Sequence, residues 1–369
     1  MKLRWYQYSL RSLMLLVLLA AIFMSWFAVR RNQARHQRDI VKQIKSTNAV
    51  VWYDYQVNEL GVGYRVNDWG SEHYFDDEVP FVPVWLTNWL GKDFFSNVVA
   101  METIDVNRVN DTTLEHLKEL SHLQYLNIVG ARHITDVGLE HLEGLKQLKY
   151  LYIRGDEITE AGLDHLKNLN LEFLNISGKL ITDAGLEHLK NLSNLEVLVI
   201  PSEQITDAGL EHLKNLNHLK DLTIPPNEQI TDAGLEHLKN LDHLESLHIS
   251  GRQITDAGLE YFQRLTKLNY LCIQSNNISG KGLVYLKGLP QLNELYLDAN
   301  SITDAGLVHI KELTHLKKLT IMSNQITVNG LKYLEEMTHL QKLTLWYKHF
   351  TYSEIDPLQK ALPNTMINF

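Results

Sequence analysis

The sequence predicts an α/β solenoid: about twelve short parallel strands lining a concave sheet, short helices on the convex side, and one transmembrane helix in front. Three observations predict it. One hexapeptide motif returns at a near-constant interval, every interval carries the same apolar pattern, and the N-terminus holds a long uncharged run. Self-similarity at such an interval marks a repeat architecture.

The N-terminal run is Leu13–Val29, 17 residues without a charge. At about 1.5 Å per residue it is at the short end of what crosses a bilayer. Trp5, Tyr6, Tyr8, Trp26 and Phe27 flank it, and amphipathic rings suit the membrane interface. A cleaved signal peptide is the rival reading. It would carry a shorter apolar core followed by small residues, whereas Ala28 has Trp26 two positions before it. An uncleaved single-pass anchor is therefore expected. Basic residues lie on both sides, with the larger excess at Arg30, Arg31, Arg35, Arg38, Lys42 and Lys45, which leaves the side of the membrane open. Residues 1–45 read as anchor plus basic helical connector, 46–97 as an aromatic-rich N-terminal cap, 98–349 as the solenoid and 350–369 as a C-terminal cap repeat.

The string ITDAGLEHLKNL starts at Ile181, Ile205 and Ile230, and ITDAGL returns at Ile254 and Ile302. Degenerate copies start at Val109, Ile134, Ile158, Ile278, Ile326 and Phe350, so the steps are 23 to 25 residues. Each unit also carries alternating leucines, as in Leu247-x-Ile249, the pattern of a strand with one face inward. Leu186, Leu189 and Leu192 fall on one face of a short helix. Thr206 and Asp207 are placed to cap that helix, Lys214 to oppose its dipole, and Gly209 to let neighbouring turns approach. Asn276, Asn300 and Asn324 are expected to bond backbone groups of the adjacent turn.

These units resemble leucine-rich repeats, specifically those of bacterial proteins of the planctomycete type, over residues 98–369. They are also similar to the repeats that follow F-boxes in eukaryotic ubiquitin-ligase adaptors. Those carry a cysteine in each unit; here Cys272 stands alone, and no F-box helix set precedes Val98. The resemblance implies a horseshoe that binds another protein on its concave face. A structural envelope or assembly role is the alternative, and substrate recruitment of the adaptor kind a minor one.

Strand alternation assigns the concave side. One column begins Tyr125, Tyr150, Phe173, Val197 and passes through Tyr270; the next includes Tyr152, Val199, His248, Cys272 and Tyr296; a third includes Arg154 and Trp346. Exposed rings at the N-terminal end of these columns form the expected partner-binding patch, against the plainer reading of cross-strand pairs that only stabilise the sheet.

The net charge of −9 and the lack of a basic run beyond the N-terminal segment argue against a nucleic-acid partner. His248 beside Cys272 is the one nucleophile–base pair the register brings together, without an identifiable orienting group or oxyanion site. The repeated histidines, such as His188, His212 and His237, sit one turn apart and do not make the convergent set that zinc requires. No phosphate loop, HExxH or GxSxG string occurs. No catalytic residue, cofactor or metal is expected, and the partner is expected to be a protein.

Overall fold

The computed structural model describes residues 10–56, 64–66, 72–74, 82–103, 108–128, 131–224, 227–345 and 350–369. A 37-residue helix α1 (Leu10–Ser46) leads into strand β1 (Ala49–Tyr53) and a hairpin of β2 (Tyr64–Val66) and β3 (Glu72–Tyr74). The solenoid strands follow: β4 (Val98–Thr103), β5 (Tyr125–Ile128), β6 (Tyr150–Arg154), β7 (Phe173–Ser177), β8 (Val197–Val199) and β9 (Asp221–Ile224). After them come β10 (Ser246–Ser250), β11 (Tyr270–Gln274), β12 (Glu294–Asp298), β13 (Lys318–Met322), β14 (Lys342–Leu345) and β15 (Met366–Asn368). Strands β4 to β15 pair in chain order, each parallel to the last, as twelve strands of one sheet. The thirteenth strand of that sheet, β1, was not expected; it pairs antiparallel with β4.

One turn shows how the sequence dictates the stack. Ile205, Leu210, Leu213, Leu216, Leu219, Leu222 and Ile224 are all buried, so every apolar position of the period points inward. A lone turn would leave most of these wet, and ordering its backbone costs about 1–2 kcal/mol per residue. Stacking removes both faces of each leucine row from water.

The motif residues then set the spacing between turns. Asp183 accepts the Thr206 N–H at 2.7 Å and the Thr206 hydroxyl at 2.6 Å. The same rung joins Asp111 to Thr135, Asp136 to Thr159, Asp207 to Thr231, Asp232 to Thr255 and Asp304 to Thr327. All of these threonines except Thr255 also cap their own helix, as Thr206 Oγ1 accepts from Ala208 N–H at 3.2 Å. The Asp therefore reaches the next turn, a role beyond the local cap that its position in the motif predicts.

Glycine in the motif answers the same carboxylate. A Cβ at Gly138, Gly162, Gly209, Gly234, Gly258 or Gly330 would overlap the Asp side chain of the preceding turn. Three rungs are missing among the described residues, one of them before Thr351, where Val328 holds the Asp position. Glu160 replaces Asp before Thr182, and Gly280 replaces it before Thr303; both threonines also lack the side-chain cap bond.

The predicted asparagine ladder falls one residue earlier than expected. Asn276, Asn300 and Asn324 are exposed, while the residue before the first and third of them is a buried serine. Ser202, Ser275 and Ser323 donate to Ile181, Ile254 and Ile302 carbonyls of the preceding turn at 2.7 Å. Asn227 holds the equivalent place and donates to the Ser202 and Ile205 carbonyls.

The first turn is covered by α1 itself. Ala34, Ile40, Val41 and Ile44 form a buried stripe on its second half, on a helix that otherwise reads as basic. Gln37 lies within the stripe and accepts from Val98 N–H at 3.4 Å, satisfying the start of β4. Asn48, at φ 61°, turns the chain out of the helix. Buried Asp93 gathers the parts: Tyr53 donates to it at 2.7 Å, Arg38 at 3.1 Å and Gln37 at 3.4 Å. At the other end, helix Tyr352–Ala361 buries Ile355 and Leu358, and β15 adds the last parallel strand.

The rung geometry separates two glycines that look alike in sequence. Gly209→Ala should destabilise the protein by about 1–3 kcal/mol through overpacking. Gly185→Ala should cost less, because the turn before it carries Glu160 and the nearest atom is the movable Cδ1 of Leu163. Urea unfolding of the two variants in detergent checks the order.

Candidate functional site

The strand registers set the concave columns. Ala100, Tyr125, Tyr150, Phe173, Val197 and Asp221 are successive Cα partners, as are Asn127, Tyr152, Asn175, Val199 and Thr223. Side chains on one face of neighbouring strands sit close enough to pack directly. Tyr152 and Phe173 stack with ring centroids 4.3 Å apart, and Tyr150 lies 6.5 Å from Phe173. Tyr125 lies 5.7 Å from Tyr152 and 6.3 Å from Tyr150.

One predicted contact residue is not on the surface. Tyr125 is only 3% exposed, clustered with Trp52 and Ala100. The reason is β1: its register sets Trp52 opposite Ala100 and Val50 opposite Glu102, so Trp52 joins the concave column and seals its first ring. The inner face is thus closed at its N-terminal end by the chain's own tryptophan and opens at Tyr150. Trp52 and Val50 were missed because their strand lies outside the repeat; the aromatic and β-branched run Val50–Tyr53 was the available signal.

Tyr150, Tyr152, Phe173, Val197 and Val199 are half-buried and form an apolar surface, with Asn175 between Tyr152 and Val199. Arg154 borders it, 3.9 Å from Asp156, at a cleft of about 400 Å³ shared with Lys179, Pro201 and Glu203. Cross-strand pairs Lys149–Glu172 at 2.7 Å and Lys220–Glu196 at 2.8 Å rim the patch. Such exposed pairs are worth at most about 1 kcal/mol each, so they shape the rim more than they hold it. Trp346 lies outside the described residues.

A second group, His248, Tyr270, Cys272 and Tyr296, begins two strands beyond Val197 and Val199, about 10 Å at ~4.8 Å each. His248 and Cys272 are register partners. Burial pushes the Cys272 thiol up to about 11, and nearby Asp298 adds to it, while the hydrogen bond from Tyr270 opposes them. Burial pushes the His248 imidazole down, against the pull of Asp221. His248 Nε2 is buried without a hydrogen-bond partner. Both shifts favour the neutral thiol and the neutral imidazole, the reverse of the thiolate–imidazolium pair that nucleophilic chemistry uses.

On the convex side, His165 Nδ1 lies 2.6 Å from Glu143, and His188 Nδ1 lies 2.8 Å from Asp164. Each histidine meets an acid of the preceding turn. Among the described residues no three metal-ligating side chains converge.

The family model of the leucine-rich repeat region matches residues 95–280, and a second leucine-rich-repeat model matches 312–334. The chain belongs to the leucine-rich-repeat family. Leucine-rich-repeat domains typically serve protein–protein interaction. A chain of the yeast Rad7–Elc1 complex shares this leucine-rich-repeat fold at a TM-score of 0.57 and 18% identity, over 98% of this chain and 92% of that one. An internalin, InlF of Listeria monocytogenes, is 23% identical over 70% of this chain and 88% of its own, with a TM-score of 0.44. The Leptospira interrogans leucine-rich-repeat protein LIC12759 is 15% identical over 69% and 74%, with a TM-score of 0.41. No curated protein matches the chain by sequence.

Cys272 gives a direct test of the electrostatics. With its pKa near 11, only about 0.1% would be thiolate at pH 8, against roughly a quarter of a free thiol. Alkylation of the folded protein should be at least about 100-fold slower than that of free cysteine and rise steeply towards pH 11. Rapid alkylation at pH 8 would contradict the burial argument.

Proposed function

We propose that this leucine-rich-repeat protein is a single-pass membrane-anchored module that captures a partner protein on its concave face. Its ITDAGL units place it, on this reading, with bacterial repeat proteins of the planctomycete type. The observation that carries the proposal is the half-buried aromatic stack Tyr150, Tyr152 and Phe173, continued by Val197 and Val199. Large rings held rigidly on a sheet lose little freedom when a partner covers them, and aromatic anchors dominate binding hot spots. Trp52 adds to this, because it locks the first ring and fixes the position of the next two.

The anchor reading rests on α1. It is the one helix among the described residues long and apolar enough to cross a membrane, and its apolar window is wholly unburied. Its second half is packed into the solenoid cap, so a span here would be continuous with the folded domain.

The binding claim is tested by photo-crosslinking in cells from position 152 or 173, compared with position 190 on the convex side. Discrete crosslinked products are expected from the first two only. Tyr152→Ala and Phe173→Ala should each weaken capture of that product by roughly 30-fold, the effect of losing about 2 kcal/mol. Urea unfolding should show the domain intact. Unchanged capture by both variants would remove this patch from the account.

A further inference from the structure

We propose that helix Val84–Leu90 is a second membrane contact, lying in the bilayer interface beside the point where α1 leaves the apolar phase. The inference rests on reading α1 as a membrane span.

The stretch Val79–Gly91 contains no charged residue. The helix within it buries none of its residues, and Val84, Trp85 and Trp89 are 66%, 66% and 67% exposed. Trp85, Asn88 and Trp89 recur at the spacing of one helix face, and all three are exposed. A soluble cap would not leave two tryptophans and a valine bare on one short helix without a further partner.

The surroundings identify that partner. The Trp89 ring lies 6.5 Å from Phe27 of α1. Phe27 lies 5.2 Å from Phe94, and Trp26 lies 6.3 Å from Phe94. Phe27 belongs to the uncharged run Leu13–Val29, whose side chains are largely exposed. Whatever covers Trp89 must therefore share space with whatever covers the exit end of that run. If lipid surrounds the run, lipid meets Trp89, and the amphipathic indole ring is suited to the headgroup level.

The helix is also fastened at that height. Arg30, the first charge after the run, turns back to donate to the Phe94 carbonyl at 2.8 Å and to Asn97 at 3.3 Å. Arg38 donates to the Leu90 carbonyl at 3.1 Å and pairs with Asp93 at 3.1 Å. Arg30 ties the Val84–Phe95 segment to α1 directly beyond its apolar half, and Arg38 does so about two turns further along. One span alone leaves the solenoid free to rotate about the helix axis. A second contact off that axis fixes its rotation, and hence the direction in which the concave sheet faces.

The test uses the full chain in vesicles of phosphatidylcholine and phosphatidylglycerol. Spin labels are placed singly by Asn88→Cys, Leu18→Cys or Lys190→Cys in a Cys272→Ser background, and collisions with oxygen and with a water-soluble nickel chelate are compared. The Asn88 label should collide with oxygen and lose nickel collisions, as the Leu18 label does, while the Lys190 label shows the reverse. Adding Trp85→Asp and Trp89→Asp should restore nickel collisions at Asn88 and leave Leu18 unchanged. An Asn88 label as open to nickel as Lys190, with Leu18 still shielded, overturns the second contact and leaves the span standing. Nickel access at both Asn88 and Leu18 overturns the span reading as well. Shielding of Asn88 that fades as the protein is diluted in lipid assigns the patch to a second copy of the chain and overturns the lipid contact.

Discussion

No turn of this protein can bury its own leucines, so each turn's fold is completed by its neighbour. That constraint makes the distance and register between turns the decisive quantity, and the Asp-to-Thr rung sets it. One carboxylate accepts both the backbone and the hydroxyl hydrogen of the next turn's threonine, as Asp207 does for Thr231 at 2.8 and 2.6 Å. The bonds are charge-assisted and partly shielded from water, which makes them stronger than neutral ones. Gly138, Gly162, Gly209, Gly234, Gly258 and Gly330 each leave room for the preceding turn's carboxylate. A hydrophobic stack alone would tolerate sliding; the rung does not.

Regular spacing has a functional consequence. Twelve parallel strands held in one register turn isolated side chains into columns, so a ring on one strand meets a ring on the next. The Tyr152–Phe173 stack exists because β6 and β7 are in register. The caps then bound the surface. Strand β1 runs against the parallel direction and brings Trp52 onto the first column, while the apolar stripe of α1 covers the end of the leucine core. The same helix carries the unburied apolar half, so the anchor reading and the interaction surface would be joined through one rigid element.

The repeat and its columns were legible to the residue, because a period of two fixes which strand residues share a face. The register of Ser246, Tyr270 and Glu294 follows from counting alone. What escaped reading lies where the period fails. Strand β1 has no copy to compare with, and its antiparallel pairing is a single event. The stripe Ala34, Ile40, Val41 and Ile44 is interrupted by Gln37 and outnumbered by arginines and lysines, so the segment reads as a connector. The backbone-bonding position was displaced by one because it is occupied by small residues such as Ser275 and Gly251, which carry no conspicuous pattern. Of the predicted contact residues, Tyr125 was lost to Trp52, while the others that are described, from Tyr150 to Tyr296, line the sheet in the order read.

The claim that the carboxylate rung governs the stack is tested most directly where nature omits it. Glu160→Asp should create the missing bond to Thr182 and raise stability by about 1 kcal/mol, read as a higher urea midpoint at unchanged slope. The gain should vanish when Thr182→Val is present in the same chain. An unchanged midpoint, or an equal gain without the Thr182 hydroxyl, would contradict the account.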